Sequence, residues 1–192
     1  MDRRDRPTPT GSSTSALSSV SCPAATNCIA VGTSGIGQPP LAEQWNGSTW
    51  TLETTLWHRR PDRRVLPDDQ FLHRGGRHRR DPRRAVERLR LDAPERTHLG
   101  GANGSYLSSI SCTSATDCVA VGYYNNSSGG ATTLAEQWNG TAWTIMNTPN
   151  PAGSVGSYLS GVSCATGAAC TAVGYYQKTS NIDVTLTEGY SG

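Results

Sequence analysis

One pattern occurs three times in this chain and limits what it can fold into. Leu17 opens LSSVSCPAATNCIAVG, Leu107 opens LSSISCTSATDCVAVG, and Leu159 opens LSGVSCATGAACTAVG. Downstream, LAEQWNGSTWT begins at Leu41 and LAEQWNGTAWT at Leu134, and the last repeat supplies LTEGYSG from Leu186. Self-similarity of this kind marks an array of small units. Each is too small to bury its apolar face alone and must stack on a neighbour.

Each unit reads as four short strands. SSISC and CVAVGYY carry β-branched and aromatic residues over strand length, joined by a short polar loop. TLAEQW and AWTIM flank Asn139-Gly140, and Asn46-Gly47 holds the same place in the first unit. Asn-Gly between two such runs predicts a hairpin with a type I′ turn, positive φ at both central residues. Four antiparallel strands in roughly 45 residues is the size of a propeller blade. The expected fold is all-β: an incomplete β-propeller-like array of four-stranded repeats, interrupted by an irregular Arg-rich segment. An open solenoid or a β-sandwich satisfies the same pattern. The expected organisation is an irregular segment 1–16, a repeat at 17–56, the Arg-rich segment at 57–101, a repeat at 102–152, and a truncated repeat at 153–192.

The cysteines come as Cys22 and Cys28, Cys112 and Cys118, Cys164 and Cys170. Each pair ends one strand and begins the next, so the two Cα atoms can approach to disulfide distance across the hairpin. A loop this short contributes at most about 2–3 kcal/mol by chain entropy. Zinc is disfavoured, because the repeats contain no His to complete a ligand set. Three staples point to an oxidising compartment, hence to an extracellular or cell-surface location. The chain shows no basic segment followed by an apolar one of signal-peptide type. It also has no apolar run long enough for a membrane helix.

The LSxVSC-x5-CxAVG…LAEQWNGxxW pattern resembles the propeller-type repeats of secreted bacterial proteins. NGSTW and NGTAW are similar to a degenerate Asp-box or kelch-like motif, with its Gly and Trp but no Asp. The resemblance implies a propeller-type architecture and no particular ligand or reaction, since such folds serve enzymes and binding proteins alike.

The formal charge of +2 is a sum of unlike parts. Of the Arg residues, Arg3, Arg4 and Arg6 stand at the start and the rest lie between Arg59 and Arg96. All four His (His58, His73, His78, His98) share that middle stretch. The repeats set only Lys178 against Glu43, Glu53, Asp117, Glu136, Asp183 and Glu188. They are therefore acidic.

Cys22 and Cys112 are 90 positions apart, Cys112 and Cys164 only 52, so one repeat is missing where the Arg-rich block stands. Shifted by one base, codons for Val65 to Arg77 can encode SCPTTSSCTAVG, and those for Asp81 to Ala93 allow TLAEQWNGSxWT. Some positions are tightly restricted: Asp68-Asp69 and Asp92-Ala93 must each yield Thr or Met. The expectation is that residues from about 57 to 100 are a frameshifted repeat, within a gene fragment. As synthesised, the block should be irregular, with a short helix near residues 82–91.

Catalytic chemistry finds little support. With every His in the suspect block, no Ser-His or Cys-His arrangement can be built on the repeats. Glu43, Glu136 and Glu188 recur at one equivalent position, which suits a structural role such as a solvated strand face or a hairpin hydrogen bond. A glycosidase needs two uniquely placed carboxylates instead. Trp45, Trp50, Trp138 and Trp143 read as packing between units. The candidate ligand-facing aromatics are Tyr123, Tyr124, Tyr175 and Tyr176, beside a variable loop. The leading expectation is a non-enzymatic extracellular binding or scaffold module, without metal or cofactor, whose partner is a carbohydrate or a protein. The first alternative is a fragment of a propeller-fold hydrolase or lyase whose catalytic blades are missing. The second is nucleic-acid binding through residues 59–96.

Overall fold

The computed structural model describes residues 14–35, 40–55 and 104–191. The Arg-rich block, its shifted-frame origin, the helix expected near residues 82–91 and all four His lie outside the described residues.

The described chain forms three antiparallel sheets. The first contains β1 (Ala16–Ala24), β2 (Asn27–Thr33), β3 (Pro40–Trp45) and β4 (Trp50–Glu53), paired in chain order. The second repeats this with β5 (Ser105–Ser114), β6 (Asp117–Asn125), β7 (Ala131–Trp138) and β8 (Trp143–Met146). The third contains β9 (Ser154–Thr166), β10 (Ala169–Lys178) and β11 (Asp183–Ser191). No helix occurs among the described residues.

The recurrent motifs carry out the same local tasks in each sheet. All three cysteine pairs are disulfides with Cα atoms 4.0 Å apart. Cys112 lies directly opposite Cys118, and Cys164 opposite Cys170. A few residues before the bonded cysteine, each first strand carries one extra residue: Ser18, Ser108 and Ser160 are skipped in the pairing. This β-bulge drives the first strand's backbone toward its partner. A Cβ at Gly32, Gly122 or Gly174 would run into the carbonyl oxygen of Ala16, Tyr106 or Tyr158. The Gly of CxAVG is thus required by close backbone approach.

The Asn-Gly turns differ from the type I′ expectation. Positive φ occurs at Gly47 (96°) and Gly140 (90°) but not at Asn46 or Asn139. The connection is a four-residue loop between Trp45 and Trp50, or between Trp138 and Trp143. The Asn side chain replaces the tight turn: Asn139 Oδ1 accepts from the amides of Thr141 and Ala142, both at 2.9 Å. Asn46 does the same for Ser48 and Thr49. An Asx turn satisfies these amides with Asn in an ordinary conformation.

The sheets pack face to face. Ile29, Val31 and Ala42 of the first meet Leu107, Ala120, Leu134, Trp138 and Trp143 of the second. The opposite face of the second sheet, with Val119, Val121 and Ala135, meets Leu159, Cys170 and Ala172 of the third. The two interfaces use equivalent positions. They are also stitched identically by serine hydroxyls. Ser19 Oγ accepts from the Ile110 amide and Ser21 Oγ from the Cys112 amide, at 3.4 and 3.0 Å. Ser109 and Ser111 accept in the same way from Val162 and Cys164, at 3.2 and 3.0 Å.

This packing corrects the reading of Glu136 as part of a solvated strand face. It alternates with Leu134 and Trp138 on the face that the first sheet covers, and it is 0% exposed. Glu43 is also buried, and Glu188 partly so.

Candidate functional site

Two features occupy the end of the second and third sheets away from the disulfides. The first is a row of four tyrosine rings. The bulge at Ser108 places Tyr106 opposite Tyr123, and that at Ser160 places Tyr158 opposite Tyr175. Within each pair the rings stack, with centroids 4.8 and 4.9 Å apart. Tyr123 meets Tyr158 edge-on at 4.9 Å, which joins the two pairs into one array across the sheets. Stacked and edge-on geometries at these spacings are the favourable ones for aromatic quadrupoles. The first sheet has no counterpart, because Ala16 and Thr33 stand where the tyrosines would be.

The array ends at Tyr175, which is 38% exposed. Burial, then the neighbouring Tyr106, Tyr158 and Tyr175 rings, pushes the Tyr123 hydroxyl above its ordinary value. Desolvation, then Tyr158 and Asp183, moves Tyr175 in the same direction. Both are neutral hydrogen-bonding groups at physiological pH.

The second feature is a cleft of about 440 Å³ between the β6–β7 loop and the segment entering β9. Its polar lining is Asn126, Ser128, Thr132, Asn150 and Ser154, all uncharged. Asn126 organises one wall: its Oδ1 accepts from the amides of Ser128 and Gly130, both at 3.0 Å, and its Nδ2 donates to Thr132 Oγ1 at 3.2 Å. Asn150 braces the other, where Oδ1 accepts from the Thr133 amide at 3.2 Å and Nδ2 donates to the Thr148 carbonyl at 3.3 Å.

The four tyrosines singled out from sequence are divided by strand alternation. Tyr123 and Tyr175 belong to the array. Tyr124 packs partly buried against the core between the first two sheets. Tyr176 is partly buried, opposite Ser157 and Val184. Sequence reasoning missed Tyr106 and Tyr158, although Ser-Tyr-Leu-Ser precedes the motif in both repeats. Counting residues from the disulfide would set Leu107 against Tyr123, and only the bulge restores Tyr106. Asn150 of the cleft was likewise unread.

Elsewhere, no group of three or more His, Cys, Asp or Glu suited to a metal ion occurs among the described residues. Among the described residues, Glu136 is the carboxyl pushed furthest: desolvation raises its pKa to about 8, and neither of its oxygens has a hydrogen-bond partner. No helix among the described residues is long and apolar enough to cross a membrane. No protein-family model, curated protein or solved structure matches the chain.

Proposed function

We propose that this chain is a run of propeller-type blades that acts outside the cell as a non-catalytic binding module for a neutral oligosaccharide. The observation that carries this reading is the tyrosine array at the same end of the sheets as the uncharged amide and hydroxyl cleft. Aromatic rings offer apolar faces and edges to a sugar's C–H groups, and neutral amides and hydroxyls match its hydroxyls. A disulfide in every first hairpin supports an oxidising, extracellular setting. The repeated sheet and its serine stitching support an array of blades rather than a single closed unit.

The test is retention of the disulfide-bonded protein on an array of neutral glycans, followed by calorimetry. Tyr175→Ala and Ser154→Trp, the second filling the cleft, should each weaken binding by about tenfold with thermal unfolding unchanged. The reading is wrong if no neutral glycan binds, if only proteins bind, or if both variants bind like the parent.

A further inference from the structure

We propose that the stacked pairs Tyr106–Tyr123 and Tyr158–Tyr175 are sites of oxidative modification, at which a peroxide-driven one-electron oxidant joins the two rings of each pair as dityrosine. Four of the seven tyrosines in the chain form the row. Within each pair the residues stand directly opposite each other on the two strands of one hairpin. Their ring centroids are 4.8 and 4.9 Å apart, and the ring planes diverge by only 19° and 20°. The ladder of each hairpin holds the two phenols in contact. Coupling within a pair therefore needs no diffusional encounter, and it outruns coupling between separate chains.

The row adds to this advantage. Tyr123 meets Tyr158 edge-on at 4.9 Å, so a radical formed on any ring lies against a second oxidisable phenol. Desolvation, then Tyr158 and the charge of Asp183, act on the Tyr175 hydroxyl. The Asp183 carboxylate is a local base for the proton that a phenol sheds on oxidation. The other three tyrosines are placed differently. Tyr124 packs against the core between the first two sheets, Tyr176 lies opposite Ser157 and Val184, and Tyr190 lies opposite Cys170 at the disulfide end. They are internal controls for the selectivity of the reaction.

Each phenol of a pair loses one electron to the oxidant and its hydroxyl proton to a base. The two radicals join through a carbon–carbon bond between ring positions ortho to the hydroxyls. Both ortho C–H bonds then break, and those hydrogens restore the hydroxyls. Hydrogen peroxide, acting through a haem peroxidase, takes up the two electrons and two protons, loses its O–O bond and leaves as two waters. The product closes the first hairpin of the second and third sheets at both ends, with the disulfide at one and dityrosine at the other. This chemistry depends only on the ring pairs and stands or falls independently of the glycan reading.

The test treats the intact disulfide-bonded chain, dilute enough to stay monomeric, with a small haem peptide and hydrogen peroxide. Dityrosine fluorescence should appear in the monomer. Peptide mapping by mass spectrometry should find Tyr106 linked to Tyr123 and Tyr158 linked to Tyr175, each link lighter by two hydrogens. Tyr106→Phe should lose the first link and keep the second, since Phe stacks but has no phenol to oxidise. Tyr106→Phe combined with Tyr158→Phe should lose both, while circular dichroism shows an unchanged fold. The proposal is overturned if no dityrosine forms in the parent, or if the links join separate copies. It is also overturned if they fall on Tyr124, Tyr176 or Tyr190, or if the double variant yields as much as the parent.

Discussion

Glu136 shows at the scale of one residue how far environment can depart from residue type. It is sealed between two sheets with neither carboxyl oxygen hydrogen-bonded, and burial raises its pKa from 4.5 to about 8. Between these values the unfolded chain is ionised while the folded chain keeps the proton. The folded state then binds more protons, so stability falls as pH rises from about 4.5 through about 8. Desolvation pushes Glu188 and Glu53 in the same direction. Glu136→Gln removes the ionisable group at nearly constant shape. Its thermal unfolding should match the parent near pH 4 and exceed it near pH 8, by the equivalent of a few kcal/mol. A parent protein whose melting temperature climbs between about pH 5 and pH 8, with no gain in the variant, would contradict this account. The recurrence of Glu at one repeat position was legible in sequence. Its burial was not, because a strand with two covered faces looks the same as one with a wet face until the neighbouring sheet is in place.

At the scale of the element, the hairpin rather than the strand is the unit that the motif specifies. LSxVSC-x5-CxAVG encodes a disulfide, a bulge and a glycine that accepts the bulged backbone. The strands, the paired cysteines and the Trp positions were all readable from period, spacing and residue type. The bulge was not, since it depends on which of two adjacent residues the ladder skips. It has large consequences, because it decides that Tyr106 faces Tyr123 and so creates half of the array. Gly122→Ala tests the point: its Cβ would collide with the Tyr106 carbonyl oxygen. Equilibrium urea unfolding should show a loss of about 2 kcal/mol or more, as for other close-packed core insertions. A near-neutral result would mean that the bulge relaxes easily. The Asn-Gly loops carry a related lesson. Residue type announced a turn, but the Asn side chain's capacity to hold two amides selected a four-residue loop over the tighter one.

At the scale of the molecule, the two interfaces are repeats of each other. Ser19 and Ser21 meet the second sheet as Ser109 and Ser111 meet the third, although the partners are 91 residues apart in one case and 53 in the other. A sheet's docking face therefore recognises the next unit in space, whatever length of chain lies between them, as expected of nearest-neighbour arrays. A chain in which residues 56–101 are replaced by Pro-Asn-Pro-Ala-Gly, the sequence of residues 149–153, should keep the same stack. Hydrogen exchange should find the Ile110 and Cys112 amides protected, and unfolding should remain one cooperative transition. Free exchange at those amides, or separate melting of the first sheet, would show that the intervening chain is needed. Gly161 stands where the other sheets have Ser19 and Ser109, and exposed Val173 where the second sheet has buried Val121. The outer face of the third sheet therefore lacks one of the two serine acceptors that stitch the other interfaces.

The repeat, the all-β class, the cysteine pairing and the lack of His in the repeats were legible in the chain alone. These follow from periodicity, spacing and residue chemistry, which are local properties of the chain. Tertiary structure alone decided that Glu136 is sealed and that four tyrosines form one row. Each depends on which face a neighbouring sheet covers and which residue a bulge skips. Those choices are settled only when separate units pack together, because a single unit cannot bury its own face.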